Sequence, residues 1–142
     1  MISKELLIAY QATCYSILNP KIDIYINEEN EELNRFLKAN HFTSWCFITA
    51  WNPFSKARSL EENKALNLLL EQDLKAYNVY PAEGKDSDGN WPPEISFFVG
   101  NISADHAITL GKKYNQNAIV FSAFDKKAAL LTLEPIENSN PI

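Results

Sequence analysis

Apolar positions near the start of the chain recur at helical spacing. Leu6, Leu7, Tyr10, Cys14, Ile17 and Leu18 fall on one stripe and predict a helix over about residues 3–18. Asn19-Pro20 ends it, since a residue before proline avoids the helical region. Ile22, Ile24 and Ile26 alternate with Asp23 and Tyr25, the period of a half-buried strand. A short helix turning Leu33, Phe36 and Leu37 inward follows and ends near Asn40. Residues 44–50 are apolar on both alternating faces, as in a strand covered on both sides, and Trp51-Asn52-Pro53-Phe54 closes it in a turn. Ser59 and Glu62 form a capping box that opens a helix to about Tyr77, with Leu66, Leu69, Leu70 and Leu74 as its stripe. Val79 and Tyr80 read as a short strand, residues 83–93 as a polar loop, and Glu94 through Val99 as a second two-faced strand. Ser103 caps a helix that turns Ala104, Ala107, Ile108, Gly111 and Tyr114 inward. Residues 118–123 and 128–133 are two further strands joined by a turn through Asp125.

From residue 45 the order strand, helix, strand, strand, helix, strand is a split βαβ–βαβ pattern. It predicts a single α+β or α/β domain over 1–133, with a mixed β-sheet packed by about four helices. Right-handed crossovers are expected to bring some strands into parallel pairing. Residues 134–142 are polar with two prolines and are expected to fray as a flexible tail.

Composition narrows the function classes. The 142 residues fit one core, and 46% hydrophobic with 22% charged residues is ordered globular usage rather than disorder. The net charge is −5 and no segment is basic, so binding to a nucleic-acid backbone is not expected. The acidic run Glu28, Glu29, Glu31 and Glu32 sits at a helix start, where it complements the helix dipole. No apolar run reaches the ~18 residues of a membrane helix. The stretch Met1-Ile2-Ser3-Lys4-Glu5 lacks the character of a secretory leader, so neither a membrane partner nor export is expected. Two cysteines, Cys14 and Cys46, form no disulfide framework, and the expected location is cytoplasmic.

The motifs that announce strong chemistry are missing. Four glycines form no phosphate-binding or dinucleotide loop, and no H-E-x-x-H or C-x-x-C occurs, so no cofactor and no metal site is expected. Asp86-Ser87-Asp88-Gly89-Asn90 resembles the start of a calcium loop, but Trp91 and Phe97 stand where glycine and glutamate are needed; a plain turn is expected. His106 projects away from its helix's apolar stripe. His41 and Cys46 are five residues apart, yet Cys46 lies mid-strand among apolar neighbours and reads as a buried structural thiol, as does Cys14.

What remains is a set of polar and aromatic residues at the ends of buried strands. Thr49, Trp51 and Asn52 leave the first two-faced strand, and Asn63 shares a helical face with Leu66 and Leu70. Trp91 ends the polar loop that feeds Glu94, and Gln116 with Asn117 precedes the strand at Ala118. A buried amide left unpaired costs about 1–3 kcal/mol. A carboxyl set against Ile95, Phe97 and Phe98 has its acid form favoured by desolvation. Each of these residues also has a plain structural role available, ending a strand or bracing a turn.

In order along the chain stand Phe47-Ile48-Thr49-Ala50-Trp51-Asn52-Pro53, Glu62-Asn63, Gly89-Asn90-Trp91-Pro92-Pro93-Glu94-Ile95-Ser96 and Tyr114-Asn115-Gln116-Asn117-Ala118-Ile119-Val120. This series resembles the bacterial family of domain of unknown function 3293 (DUF3293) over about residues 40–133. The resemblance implies a small cytosolic bacterial protein and no particular activity. The positions matching its motif are Thr49, Asn52, Asn63, Trp91, Glu94, Gln116 and Asn117.

Three functions are open from the residues. The first is binding of a small polar ligand, a nucleobase or nucleotide among the candidates, by Thr49, Trp51, Asn52, Asn63, Trp91, Glu94, Gln116 and Asn117. The second is a protein partner docking on the Trp/Phe-rich turn 51–54. The third is an enzyme with Glu94 as the catalytic general acid or base. It shows no partner nucleophile, and no second acid beyond Glu83.

Overall fold

Each helix begins at a residue whose side-chain oxygen takes an otherwise orphaned backbone N–H. Ser3 accepts from Leu6, Asn30 from Leu33, Ser59 from Glu62 and Ser103 from His106, at 2.9–3.1 Å. The computed structural model describes residues 1–86, 88–89 and 91–137. The elements are α1 (Lys4–Ala12), β1 (Cys14–Ile17), β2 (Ile22–Ile24), α2 (Glu31–Ala39), β3 (Ser44–Ile48), α3 (Leu60–Asp73), β4 (Asn78–Lys85), β5 (Glu94–Gly100), α4 (Ala104–Lys113), β6 (Ala118–Ala123) and β7 (Ala129–Thr132). They form one α+β domain around a seven-stranded sheet of order β2-β1-β4-β5-β3-β6-β7.

Every strand pairing in this sheet is antiparallel, which corrects the expected parallel pairing. The reason lies in the split pattern itself. β3 and β4 run the same way around the α3 crossover, but β5 is inserted between them; β5 and β6 likewise flank β3. Two interleaved split βαβ units, the β-α-β-β-α-β order called ferredoxin-like, separate every co-directional pair. The β1–β2 hairpin extends one edge and β7 the other.

Strand alternation divides the core between two faces. Trp45, Phe47, Phe98 and Val120 face α2, joined by Ile17, Ile22 and Ile24. Cys46, Ile48, Phe97, Val99 and Ile119 face the other way, against Leu70 and Leu74 at the end of α3 and Ala107 of α4. Trp45 is fully buried and stacks on Phe98 with ring centroids 5.2 Å apart.

Four local expectations change. The first helix stops at Ala12, and Cys14 and Ile17 lie in β1, not on a helical stripe. Pairing with β2 on one side and β4 on the other gives 14–17 a ladder that local helical spacing cannot show. The strand expected at 79–80 runs from Asn78 to Lys85, so the polar loop begins after it. Glu83 and Lys85 look like loop residues because they are charged, yet they are only partly exposed, pair with each other, and lie beside the buried Ser16, which donates to Asp23 at 2.6 Å. Leu69 is 52% exposed, since the inward face of α3 is Asn63, Asn67, Leu70 and then Leu74. The expected tail from 134 begins with an anchored stretch: Ile2 is fully buried, bridges Ile136 and donates to the Pro135 carbonyl at 2.7 Å. Residues 138–142, like Ser87 and Asn90 of the calcium-like turn, lie outside the described residues.

Candidate functional site

The α2 face is only half covered by α2. Over its other half, α1 and the segment 51–60 roof a cavity of about 590 Å³ at the ends of β3, β4, β5 and β6. All eight residues singled out from the sequence line this one space: Thr49, Trp51, Asn52, Asn63, Trp91, Glu94, Gln116 and Asn117. Its apolar wall includes Phe47, Val120 and Leu130.

The turn after β3 is held in a form that most residues resist. Asn52, Phe54 and Ser55 have φ of 46°, 56° and 59°, in the left-handed region. Asparagine tolerates it, but for phenylalanine and serine it costs about 1 kcal/mol or more each. Bonds from two sides impose it. The Phe54 N–H donates to the Asn115 carbonyl at 2.7 Å, and Gln116 Nε2 donates to the Trp51 carbonyl at 3.3 Å.

From the other side comes α3. Asn63 Oδ1 accepts from the Asn52 N–H at 2.8 Å, and Asn63 Nδ2 donates to Asn52 Oδ1 at 2.8 Å. Asn52 Oδ1 also accepts from the Arg58 N–H at 3.0 Å. A backbone N–H can only donate, so both amides have a single possible orientation. That leaves Asn52 Nδ2 to face the Glu94 carboxyl, where it favours the ionised form. Asn63, buried to 2% exposure, therefore acts on the cavity through Asn52.

Glu94 enters at the start of β5, on the cavity side of the sheet. Burial pushes its carboxyl up to about 7, against the lowering influence of the Asn52 amide. Among the described residues no cation forms an ion pair with it. Arg58 lines the mouth of the cavity but is directed to Glu62 at 3.4 Å.

Sequence reasoning missed three contributors. Asn67 is buried, accepts from the Ala50 N–H at 2.9 Å and donates to the Ile95 carbonyl at 3.0 Å, tying together the ends of β3 and β5. Its signal was available: it stands four residues after Asn63, on the same helical face. Tyr10 and Ser55 also line the cavity and hydrogen-bond to each other. Tyr10 was hidden within an apolar stripe, and nothing in the sequence places a residue of α1 beside Ser55.

Other candidates stay apart from the cavity. Cys46 is buried on the α3/α4 face, where burial pushes its thiol up, and His41 is exposed, so they form no nucleophilic pair. His106 meets the Tyr77 hydroxyl at the surface. Among the described residues no three His, Cys, Asp or Glu side chains gather as metal ligands, and no helix is long and apolar enough to cross a membrane.

A family model described as "Protein of unknown function (DUF3293)" matches residues 48–119, from the end of β3 to the start of β6. Searches of curated proteins and of solved structures found no match.

Proposed function

The chain belongs to the DUF3293 family, and from the geometry of its cavity we propose that it binds a small polar ligand with a hydrogen-bonding ring edge, such as a nucleobase. The observation that carries this reading is the convergence of eight polar and aromatic strand-end residues on one cavity of about 590 Å³. Apolar walls with a few fixed polar groups are the usual make-up of a small-molecule site. Asn52 is oriented by bonds within the protein, so little ordering of it is left for a ligand to bring about. Trp51 and Trp91 offer aromatic faces for a ring. Two free, buried thiols support a reducing cytoplasm as the setting, in keeping with the bacterial origin that the family resemblance implies.

Calorimetric titration with adenine, guanine, cytosine and uracil tests the reading. At least one base is expected to bind, and Glu94→Ala to weaken it by about tenfold or more through loss of a charge-assisted hydrogen bond. Absence of binding, or equal binding by the folded variant, overturns it.

One observation favours a second reading, an enzyme using Glu94 as general acid or base. A carboxyl at about 7 exchanges its proton readily near neutral pH. That reading requires turnover with an inflection near pH 7, abolished in Glu94→Gln; turnover that survives this change rejects it. Docking of a protein on the 51–54 turn has less support, because Trp51 faces the cavity and Pro53 is buried.

A further inference from the structure

A second polar cluster lines the same cavity, on the β6 side of β3 from Glu94. Asn117, at 5% exposure, directs its Nδ2 to the Tyr10 hydroxyl at 3.0 Å and to Ser55 Oγ at 3.4 Å, and the two hydroxyls hydrogen-bond to each other. The proton count is informative. Two hydroxyls carry two protons, and their mutual bond uses one. Asn117 supplies further donors and takes none of the hydroxyl protons through Nδ2. One hydroxyl proton is therefore not used within the cluster, beside oxygen lone pairs that can also accept. A donor and an acceptor side by side suit a hydroxyl group.

The two polar ends are separated by a fixed amount of sheet. Glu94 begins β5, Asn117 precedes β6, and β3 lies between those strands. Two strand spacings are roughly 10 Å, and the apolar side chains of Phe47 and Val120 fill the floor between. Charge adds a further constraint. Arg58 is the sole cation among the described residues lining the cavity, and it is exposed at the mouth and paired with Glu62. The interior thus offers no counter-ion for a phosphate.

We infer that Tyr10, Ser55 and Asn117 form a hydroxyl-binding subsite, and that the ligand is an uncharged nucleoside. A ring N–H meets Glu94, a ring acceptor faces Asn52 Nδ2, and the sugar hydroxyls meet the Tyr10 cluster. This rests on the ligand-binding reading above and adds a second subsite, supplied in part by a helix outside the family-matched segment 48–119. The sugar end would then set the preference for a nucleoside over its base.

The test is calorimetric titration of adenosine, guanosine, cytidine and uridine, of their free bases and of their 5′-monophosphates. Wild type, Tyr10→Phe, Ser55→Ala and Glu94→Gln are compared, with melting temperatures measured to establish that each variant is folded. The expected result is a nucleoside bound about tenfold more tightly than its base, the worth of one or two added hydrogen bonds, and more tightly than its monophosphate. In Tyr10→Phe and in Ser55→Ala that preference should fall toward parity. Glu94-dependent binding of a free base without gain from the sugar, or an unchanged preference in both folded hydroxyl variants, overturns the subsite and leaves the cavity reading standing. A monophosphate that binds best overturns the neutral ligand. No binding by any probe overturns both readings.

Discussion

Along β3 the two faces of one strand meet different fates. Cys46 and Ile48 are closed over by side chains of α3 and α4. Phe47 and Thr49, pointing the other way, line a cavity of about 590 Å³. The sheet is the same, and the covering differs. α4 contributes Ala107 and Gly111 at such close range that a Cβ at Gly111 would lie 2.4 Å from Leu133 Cδ1. α1 buries none of its own residues, yet roofs the other side. Gly84, in the cavity wall, would place a Cβ no nearer than 3.8 Å from Thr13 Cγ2. On one face the side chains of α3 and α4 close over the strand, and on the other the core under α2 gives way to a cavity behind polar groups that bond to one another. An opening of that kind in a chain able to pack its opposite face so closely is a feature of the fold, not a deficit of apolar residues.

The comparison can be broken most directly by trimming each face. Leu70→Ala, fully buried against the α3/α4 side, should cost about 2–5 kcal/mol in urea unfolding, the usual loss when a core leucine leaves a void. Leu130→Ala, in the half-buried cavity wall, should cost under about 2 kcal/mol, since it enlarges a space already present. Equal costs would mean that the cavity side is packed after all.

Glu94 gives the next largest effect, and its sign is fixed by linkage. Its carboxyl is raised from 4.5 to about 7 on folding, so the folded state holds the proton more tightly. The resulting stability is fully present below about pH 4.5 and is lost as pH rises through about 7. Over that window the decline should be on the order of 2–3 kcal/mol, and Glu94→Gln should flatten it. A decline that is equally steep in the variant would assign it to other groups.

Asn63→Ala follows, removing the acceptor for the Asn52 N–H and the donor to Asn52 Oδ1, at about 1–3 kcal/mol. Thermal unfolding measures that loss. If Asn63→Ala melts as wild type does, the turn is not held from α3.

The smallest contrast uses the glycines. Gly111→Ala should destabilise by about 1–2 kcal/mol, overpacking outweighing the gain in helix propensity. Gly84→Ala should stay within about 0.5 kcal/mol. A reversal of that order in chemical denaturation would contradict the assignment of filled and open faces.

Much of this was readable from sequence, and what was not has identifiable causes. The capping residues Ser59 and Ser103 act locally, so their helices begin where the sequence predicts them. The split βαβ order was also legible, because it depends only on the succession of elements. The parallel pairing inferred from it failed, since inserting β5 between β3 and β4 is a matter of distant contacts. β1 was misread for the same reason: Cys14 and Ile17 fit a helical stripe until β2 and β4 supply a ladder. For the cavity, strand-end amides stood out because amides are rarely buried without cause. Tyr10 did not, because an amphipathic aromatic on a helix looks like any core residue until its hydroxyl is found beside Ser55 and Asn117.

The three tryptophans are distributed unevenly over these regions. Trp45 is sealed within the α2 face, away from the cavity lining, whereas Trp51 and Trp91 stand at the opening. Ultraviolet emission from the folded chain is therefore a sum of one indifferent emitter and two that border the cavity. Replacing Trp45 by phenylalanine would leave a protein whose entire indole signal originates at the cavity. Occupancy could then be followed by light alone, with no label attached and no reaction required.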